Sequence, residues 1–215
     1  MGRPRSRGSR PGGSGSGCSV KRPAAERLAL TGALTAVFSE VHPFADWWLQ
    51  RGQDAVLKGL HGQYKVYADG TPVGDETDDR TGQRTYTASQ AGRRAASSHV
   101  ASYTACQVAA TVAVTRAMGY RVPLRALLAG AAVNGVTHAV IDRRAFLFWL
   151  AGKAGKRAYI DHCAAVRMNA SGELTAEAAG PGTALLEYDQ ALHRVIGVFA
   201  AAVTAWIATR GGGAE

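Results

Sequence analysis

The sequence is poor in cysteine. Its three cysteines, Cys18, Cys106 and Cys163, are an odd number in 215 residues, and none of them stands in a C-x-x-C pair. The chain therefore has neither a disulfide framework nor a thiolate zinc motif. We expect these residues to be small apolar fillers, apart from one free thiol in the N-terminal segment.

Acidic residues are also few. Twenty-five lysines and arginines against 16 aspartates and glutamates give a net charge of +9, which suits a nucleic-acid surface or an anionic membrane face. Seven of the basic residues lie in the first 27 positions, so much of the excess is local. Charge alone does not indicate a DNA-binding protein.

Residues 1–23 contain almost no apolar side chains. Arginine, glycine, serine and proline make up most of this stretch, which cannot bury enough surface to offset the entropy lost on ordering. It predicts a disordered basic tail and, because it has no apolar h-region, no secretory signal. Residues 211–215 predict a second, flexible tail. Solvation alone, contact with anionic lipid and contact with nucleic acid are all open for the basic tail.

Long uncharged runs predict four helices between these tails. The predicted helices extend from about Ala24 to Gln50 with a kink or restart at Pro43, from about Ala95 to Ala117, from Pro123 to about Leu150, and from near Glu187 to the closing GGGAE. Their lengths predict an all-α fold, an antiparallel bundle of about four helices forming one domain over residues 24–210. A polar insert at 62–94, with one weak hairpin, and a Gly-rich loop at 152–186 interrupt the bundle.

The predicted helices lack a charged stripe. The second has 21 uncharged residues between Arg94 and Arg116, and the fourth has 15 between Arg194 and Arg210. A helix facing water should carry such a stripe, and a spanning helix needs about 20 apolar residues. The first and second segments reach that length; the third and fourth reach it only with polar ends. Their Ala, Gly and Thr favour close packing of helices in membranes, so we expect a transmembrane bundle.

Tryptophans and basic residues bear on how the bundle would lie in a bilayer. Four tryptophans lie near segment ends, as an aromatic belt would; in a soluble bundle they would be core. They are Trp47, Trp48, Trp149 and Trp206. Basic residues precede the first segment and surround the second-to-third connection, which places both termini in the cytoplasm by the positive-inside rule.

Histidine, aspartate and other polar residues recur at a spacing of four in each predicted helix. Positions i, i+4 and i+8 share nearly one helix face. The four ladders are His42, Asp46 and Gln50; His99, Tyr103 and Gln107; Asn134, His138 and Asp142; and Asp189 and His193. They lie near the C-terminal ends of the first and third helices and at the N-terminal ends of the second and fourth. An alternating bundle brings all four to one end.

Imidazoles and carboxylates together suit a divalent transition metal such as Zn, Fe or Mn. We expect His138, Asp142, Asp189 and His193 to be the core ligands, followed by Asp46 and His42, and then His99. Such a site can activate water for hydrolysis, whereas the same residues in a bundle can also relay protons or only hold helices together through hydrogen bonds. Without metal, no other cofactor is expected.

Other polar residues are expected beside this site. The supporting candidates are Gln50, Tyr103, Gln107 and Gln190, with Arg143 and Arg144 as binders of an anion or as interface charges. Lys58 is expected either beside the ligands or as a solvated helix end. His61, Asp161 and His162 are expected to be solvated. No catalytic residue is assigned from these patterns.

Several stretches together resemble a known protein family. They are VHPFADWWLQ, HVASYTACQ, THAVIDRR, GKRAYIDHC and GPGTALLEYDQALHR. Their spacing resembles small prokaryotic, especially actinobacterial, multi-pass membrane proteins that carry a domain of unknown function. More distantly, the chain is similar to membrane-bound hydrolases thought to use metal. The resemblance implies a membrane-embedded fold and the same His and Asp positions, while Pro43 and the insert at 62–94 depart from the family pattern.

Three functions follow from these patterns. The first is a small integral membrane protein with a His/Asp site, metal-binding and hydrolytic. The second is a non-catalytic interaction or transport-accessory membrane protein whose ladders are structural, and the third is a soluble basic helical protein associated with DNA. The expected partner is the lipid bilayer; a homo-oligomer stays open, and nucleic acid is not expected because no helix combines a basic face with the turn of a DNA-reading pair.

Overall fold

The structure, a computed structural model, describes residues 22–210. Apart from the first turn of α1, the tails predicted for residues 1–23 and 211–215 lie outside this range. In chain order the elements are α1 (Arg22–Pro43), a π-helical turn (Phe44–Trp48), α2 (Gly52–Leu57), β1 (Lys65–Val66), β2 (Tyr86–Thr87), α3 (Ala88–Ala117), α4 (Leu124–Asp142), α5 (Ala145–Lys153), α6 (Arg157–His162), β3 (Ala165–Met168), β4 (Leu174–Glu177) and α7 (Ala184–Thr209).

Four long helices form an antiparallel bundle, as the sequence predicts. α1 packs on α3 and α7, and α4 packs on the same two helices. Their directions alternate, because Arg27 at the start of α1 donates to Thr209 at the end of α7, while His42 at the end of α1 reaches Gln190 near the start of α7. The ends of α1 and α4 therefore meet the beginnings of α3 and α7.

The interior of the bundle is polar along much of its length. Small and apolar residues of α1, α4 and α7, including Leu34, Phe38, Ala126, Ala201 and Ala205, form a core toward the end away from the ladders. Buried polar side chains extend from the ladders through this part as well, and they are Gln107, Thr111 and Thr115 on α3, Asn134 on α4 and Thr204 on α7. The large apolar side chains of the outer surface are exposed instead, among them Leu128, Val136, Val195, Phe199 and Trp206. Such an arrangement suits a bundle surrounded by lipid.

Three helical segments of the described chain are long and apolar enough to cross a membrane: Ala24–Trp48, Leu124–Asp142 and Ala184–Thr209. α3, which the sequence singled out for its length, is not among them. Its 30 residues include three arginines and several serines and threonines, and these side chains lower its mean hydropathy.

Three helix boundaries differ from the predicted ones, at Thr87, at Arg144 and at Pro43. α3 begins seven residues earlier than predicted, because Thr87 and Gln90 form a capping box. The predicted third helix breaks at Arg144, which adopts φ 60 between α4 and α5. Pro43 ends the regular α-helix and is followed by the π-helical turn rather than by a new helix, since proline lacks the N–H that would continue the ladder.

The two polar excursions carry small elements of their own. In the insert, β1 pairs with β2 in antiparallel register, and Arg80 ion-pairs with Asp69 and Asp78. The pKa of Asp69 is lowered to about 2 by the backbone N–H of Thr71 and by the Arg80 guanidinium. In the loop, β3 and β4 form a hairpin after α6, a unit that the sequence patterns did not predict.

Candidate metal centre

The four ladders meet at one end of the bundle. Five side chains from the π-helical turn, α3, α4 and α7 converge there: Asp46, His99, His138, Asp142 and His193. All five are buried, with His99 and His138 fully so. Because Asp46 lies in the π-helical turn after Pro43, the wider turn changes where its carboxylate sits relative to His42; π-helical turns are frequent at functional sites.

Four ligand atoms approach one another closely. The Nε2 atom of His99 lies 2.9 Å from Asp46 Oδ1 and 3.0 Å from His138 Nε2. It also lies 3.5 Å from Asp142 Oδ2, and His138 Nε2 lies 3.3 Å from that same oxygen and 3.8 Å from Asp46 Oδ1. A tetrahedral ion with ligands at about 2.1 Å has ligand–ligand separations of about 3.4 Å. These five separations bracket that value. Two overlapping sets of three residues have ligand atoms that could hold one ion: Asp46, His99 and His138, and His138, Asp142 and His193.

The close approach of the two imidazoles has two chemical explanations. The Nε2 atoms, 3.0 Å apart, either share a proton in a hydrogen bond or bind one cation between them. A metal ion accepts both lone pairs at once, and a carboxylate on either side offsets its charge. The residue types and their directions therefore fit a divalent transition metal with nitrogen and oxygen ligands.

Asp46 and Asp142 each bond a residue outside the cluster through one carboxylate oxygen and direct the other oxygen into the cluster. Asp46 Oδ2 accepts a hydrogen bond from Gln190 Nε2 at 2.9 Å, and Asp142 Oδ1 pairs with Lys58 Nζ at 2.8 Å. Asp142 Oδ2 makes no hydrogen bond within residues 22–210. The outer contacts fix the orientation of each carboxylate, as groups around metal ligands usually do.

His193 is oriented in the same manner. Its Nδ1 lies 2.9 Å from the backbone carbonyl oxygen of Asp189 and 3.3 Å from the Asp189 carboxylate. A proton on Nδ1 is therefore donated to that carbonyl, which leaves the lone pair on Nε2. This Nε2 has no hydrogen-bond partner in the described range and lies 4.0 Å from Asp142 Oδ1. His193 can serve as a fifth ligand or, with His138 and Asp142, as part of a second group of ligand atoms.

Two predicted ligands lie beside the cluster. His42 uses both ring nitrogens elsewhere: Nδ1 is 3.0 Å from the Tyr103 hydroxyl, and Nε2 is 3.0 Å from Gln190 Oε1. Asp189 faces Nδ1 of His193, not the ligand atoms. Both residues therefore orient groups that touch the cluster. Gln107 continues this network by donating to Tyr103 and to the carbonyl of Phe38.

Lys58 is closer to the cluster than its position in the sequence suggested. It follows α2 and reaches Asp142 at 2.8 Å and Asp46 at 4.0 Å. The Arg143 guanidinium donates to the Lys58 carbonyl at 2.9 Å and passes so close to Gly92 that a Cβ there would clash. The Gln50 amide oxygen accepts a hydrogen bond from Lys58 Nζ at 3.1 Å when its amide nitrogen donates to the Asp46 carbonyl oxygen. No pattern in the sequence pairs Lys58 with Asp142, 84 residues away.

A cavity of about 340 Å³ opens onto the cluster. Asp46, Asp142 and Lys58 line its inner wall, and Asp189 and Arg144 also face it. Arg144, not its neighbour Arg143, is the arginine of this pair that lines the cavity. Trp47, Pro181, Leu185 and Leu186 form apolar parts of the wall, and the sequence patterns gave no reason to place the loop before α7 there.

Known proteins give no further information about this site. Comparison with protein-family models, with curated proteins and with solved structures finds no match for the chain.

Proposed function

We propose that this chain is a multi-pass integral membrane protein that binds a divalent transition metal at the His/Asp cluster and uses it in hydrolysis. One observation carries the metal proposal: nitrogen and oxygen atoms from three helical segments, the π-helical turn, α3 and α4, converge at separations that suit a metal ion. The apolar outer surface of a bundle with a polar interior supports the membrane proposal. Membership in the actinobacterial membrane family that the sequence resembles is part of the same proposal.

Asp46, His99, His138 and Asp142 would hold the ion, and a fifth coordination position would be left for water. His193 lies beside this position as an alternative ligand, in a group with His138 and Asp142. A bound divalent metal would lower the pKa of a coordinated water and stabilise the negative charge that develops during hydrolysis. Lys58 keeps Asp142 Oδ1 occupied so that Oδ2 faces the cluster. Asp189 holds His193 in the tautomer that leaves Nε2 free. The adjoining cavity gives a substrate access to the same carboxylates.

A second candidate is a non-catalytic interaction or transport-accessory membrane protein. The ion pair between Lys58 and Asp142 favours it, because this pair offsets buried negative charge without any metal. On this account the ladders only hold the helices together. A soluble DNA-associated protein is a weaker candidate, since the outer faces of α4 and α7 expose large apolar side chains.

The basic residues suggest an orientation for the bundle. The N-terminal segment is rich in basic residues, and so is the region of the α3–α4 connection, with Arg116 at the end of α3, Arg121 in the connection and Arg125 at the start of α4. The positive-inside rule places this end of the bundle, and both termini, in the cytoplasm. The metal cluster lies at the opposite end, so we propose that it faces the extracytoplasmic side.

Metal analysis of protein purified in detergent tests the metal proposal. We expect at least one divalent metal ion per chain, and less than a tenth of that in the variant carrying both His138→Ala and His193→Ala. His162→Ala, which removes an exposed histidine of α6, should leave the metal content unchanged. Sub-stoichiometric metal that does not respond to the double substitution would overturn the proposal.

Fractionation of cells tests the membrane proposal. We expect the protein to stay with the membrane pellet after alkaline carbonate washing and to need detergent for extraction. Release into buffer, together with binding to DNA that weakens steeply with salt, would support the soluble candidate instead.

A further inference from the structure

The cavity beside the cluster is lined by two cationic side chains and by an apolar wall. Lys58 and Arg144 both line it, and so do the two aspartates whose inward oxygens face the ligand histidines. A ligand in this cavity would therefore touch the metal side and both cations at the same time. Its volume of about 340 Å³ lies within the range of small-ligand pockets.

Arg144 is held in the cavity wall by an unusual backbone conformation. It is the only non-glycine residue with positive φ, at 60, among residues 22–210. Its amide donates to Ile141, and the amide of Ala145 donates to Arg143, both at 2.7 Å. These bonds form a tight turn between α4 and α5, and the guanidinium lies over Gly59, where a Cβ would be 3.3 Å from Arg144 Nε. A side chain retained in a strained conformation at a cavity is typical of a functional position.

Lys58 and Arg144 reach the cavity from the same side. The Arg144 guanidinium packs against Gly59, the residue that follows Lys58. Arg143 holds the Lys58 backbone in place by donating a hydrogen bond to its carbonyl oxygen. With a divalent ion in the cluster, the positive charges at the cavity would sum to four and the three carboxylates to minus three. The open cavity would then carry a net charge of about plus one before any substrate enters.

We propose that the substrate is a phosphate ester, whose phosphoryl oxygens bind the metal, Lys58 and Arg144 together. This inference rests on the proposed metal-dependent hydrolysis. A tetrahedral group with several anionic oxygens can contact three positive centres, and arginine binds phosphate through paired donors. Trp47, Leu185 and Leu186 give the cavity an apolar wall for the organic part of the ester.

The reaction is a simple hydrolysis. Water forms a new bond from its oxygen to phosphorus while the bond between phosphorus and the ester oxygen breaks. The alcohol leaves with a proton that comes from the attacking water, and inorganic phosphate remains. No oxidant, reductant or second co-reactant is needed. A bound metal ion would, together with Lys58 and Arg144, stabilise the charge on the phosphoryl oxygens during this displacement.

Binding of inorganic phosphate to the metal-loaded protein in detergent tests the recognition step. Arg144→Gly is the principal variant, because glycine suits positive φ and should not impair folding. Lys58→Gln is the second, and Arg121→Gly, in the α3–α4 connection at the opposite end of the bundle, is the control. We expect Arg144→Gly and Lys58→Gln to weaken phosphate binding by about tenfold or more, with the metal content of Arg144→Gly unchanged. The control should bind as the unaltered protein does.

Two esters then distinguish the source of the phosphate. A short-chain phosphatidic acid presents it on a lipid, and p-nitrophenyl phosphate presents it in solution. Phosphate release from the lipid alone would assign a membrane substrate, and release from both would assign recognition of the phosphate itself. Release from neither would overturn the inference.

Failure of this inference is distinguishable from failure of the metal proposal. Stoichiometric metal with no phosphate binding, or with binding that Arg144→Gly leaves unchanged, would overturn the phosphate-ester inference and leave metal binding intact. A protein that holds no metal would overturn the proposed function and this inference with it.

Discussion

At the scale of single residues, the cluster depends on groups that touch the ligands rather than the ligands alone. Gln190 and Lys58 each occupy the outer oxygen of one aspartate, and Asp189 holds His193. His42 lies in this outer layer, between Tyr103 and Gln190. These contacts fix the two carboxylates and His193 before any ion binds, which is a form of preorganisation typical of metal sites. The Nδ1 atoms of His99 and His138 are buried without a hydrogen-bond partner among residues 22–210.

The pair formed by Lys58 and Asp142 gives a prediction at this scale. In protein stripped of metal, Lys58→Met leaves a buried carboxylate without its partner and should lower the free energy of unfolding by about 2–4 kcal/mol. Asp142→Asn removes the charge that Lys58 offsets, so the double variant should cost less than the sum of the two single ones. Unfolding in mixed detergent, followed by circular dichroism, measures this difference. Additive effects would mean that the two groups do not interact.

Spacing within one helix was readable from the sequence, whereas partners across helices were not. The i, i+4 ladders correctly identified His99, His138 and His193 as residues that meet at one end of the bundle. The sequence could not show that His42 turns toward Tyr103, because Tyr103 is 61 residues away on α3. Nor could it show which oxygen of each aspartate points inward, since Gln190 and Lys58 are distant in the chain.

At the scale of the elements, close approach of helices depends on small residues. A Cβ added at Gly130 of α4 would lie 1.9 Å from the hydroxyl of Thr204 on α7, whereas nothing lies within 4 Å of the same position at Gly32 of α1. α4 and α7 therefore meet through a glycine opposite a threonine. Small residues at helix interfaces are typical of membrane bundles.

Substitutions at this contact should show coupling. We expect Gly130→Ala to destabilise the bundle by about 1–3 kcal/mol because of overpacking. Thr204→Ala removes the clashing hydroxyl and should restore much of this loss in the double variant. Gly32→Ala serves as the matched control and should be neutral or stabilising, because alanine favours a helix. Melting temperatures in detergent measure all four proteins, and equal effects at Gly130 and Gly32 would contradict the close packing of α4 on α7.

Element boundaries show which sequence signals were overlooked. The T-x-x-Q pattern at Thr87 and Gln90 is a capping box that marks the start of α3, and the charge-free run alone missed it. The break at Arg144 carries no glycine or proline, so a helix continuing through it was the natural prediction. The β3–β4 hairpin lies in a loop whose Gly-rich composition gives little strand signal.

At the scale of the whole molecule, the bundle buries many polar side chains and exposes many large apolar ones. Buried histidine, asparagine, glutamine and threonine lie inside beside a small apolar core, while Leu128, Val195, Phe199 and Trp206 are exposed. Arg27 and Arg210 both lie over the Trp206 ring, at 4.2 and 4.5 Å, at the end away from the metal cluster. Basic and aromatic residues together at one end suit a membrane–water interface.

Thiol labelling tests the proposed orientation. In a variant whose native cysteines are replaced by alanine, Ser171→Cys places a thiol on the hairpin beside the cluster, and Met118→Cys places one at the opposite end. Both positions are exposed. A membrane-impermeant maleimide should label the first in intact cells and the second only after permeabilisation. The reverse pattern would place the cluster in the cytoplasm.

The central claim is that the π-helical turn, α3 and α4 converge to hold one metal ion. An anomalous difference map, recorded at the absorption edge of the metal found in crystals of the detergent-purified protein, tests it most directly. We predict a peak about 2.0–2.2 Å from the Nε2 atoms of His99 and His138 and from one carboxylate oxygen each of Asp46 and Asp142. A map with no peak at this cluster, in protein that is fully folded, would contradict the claim.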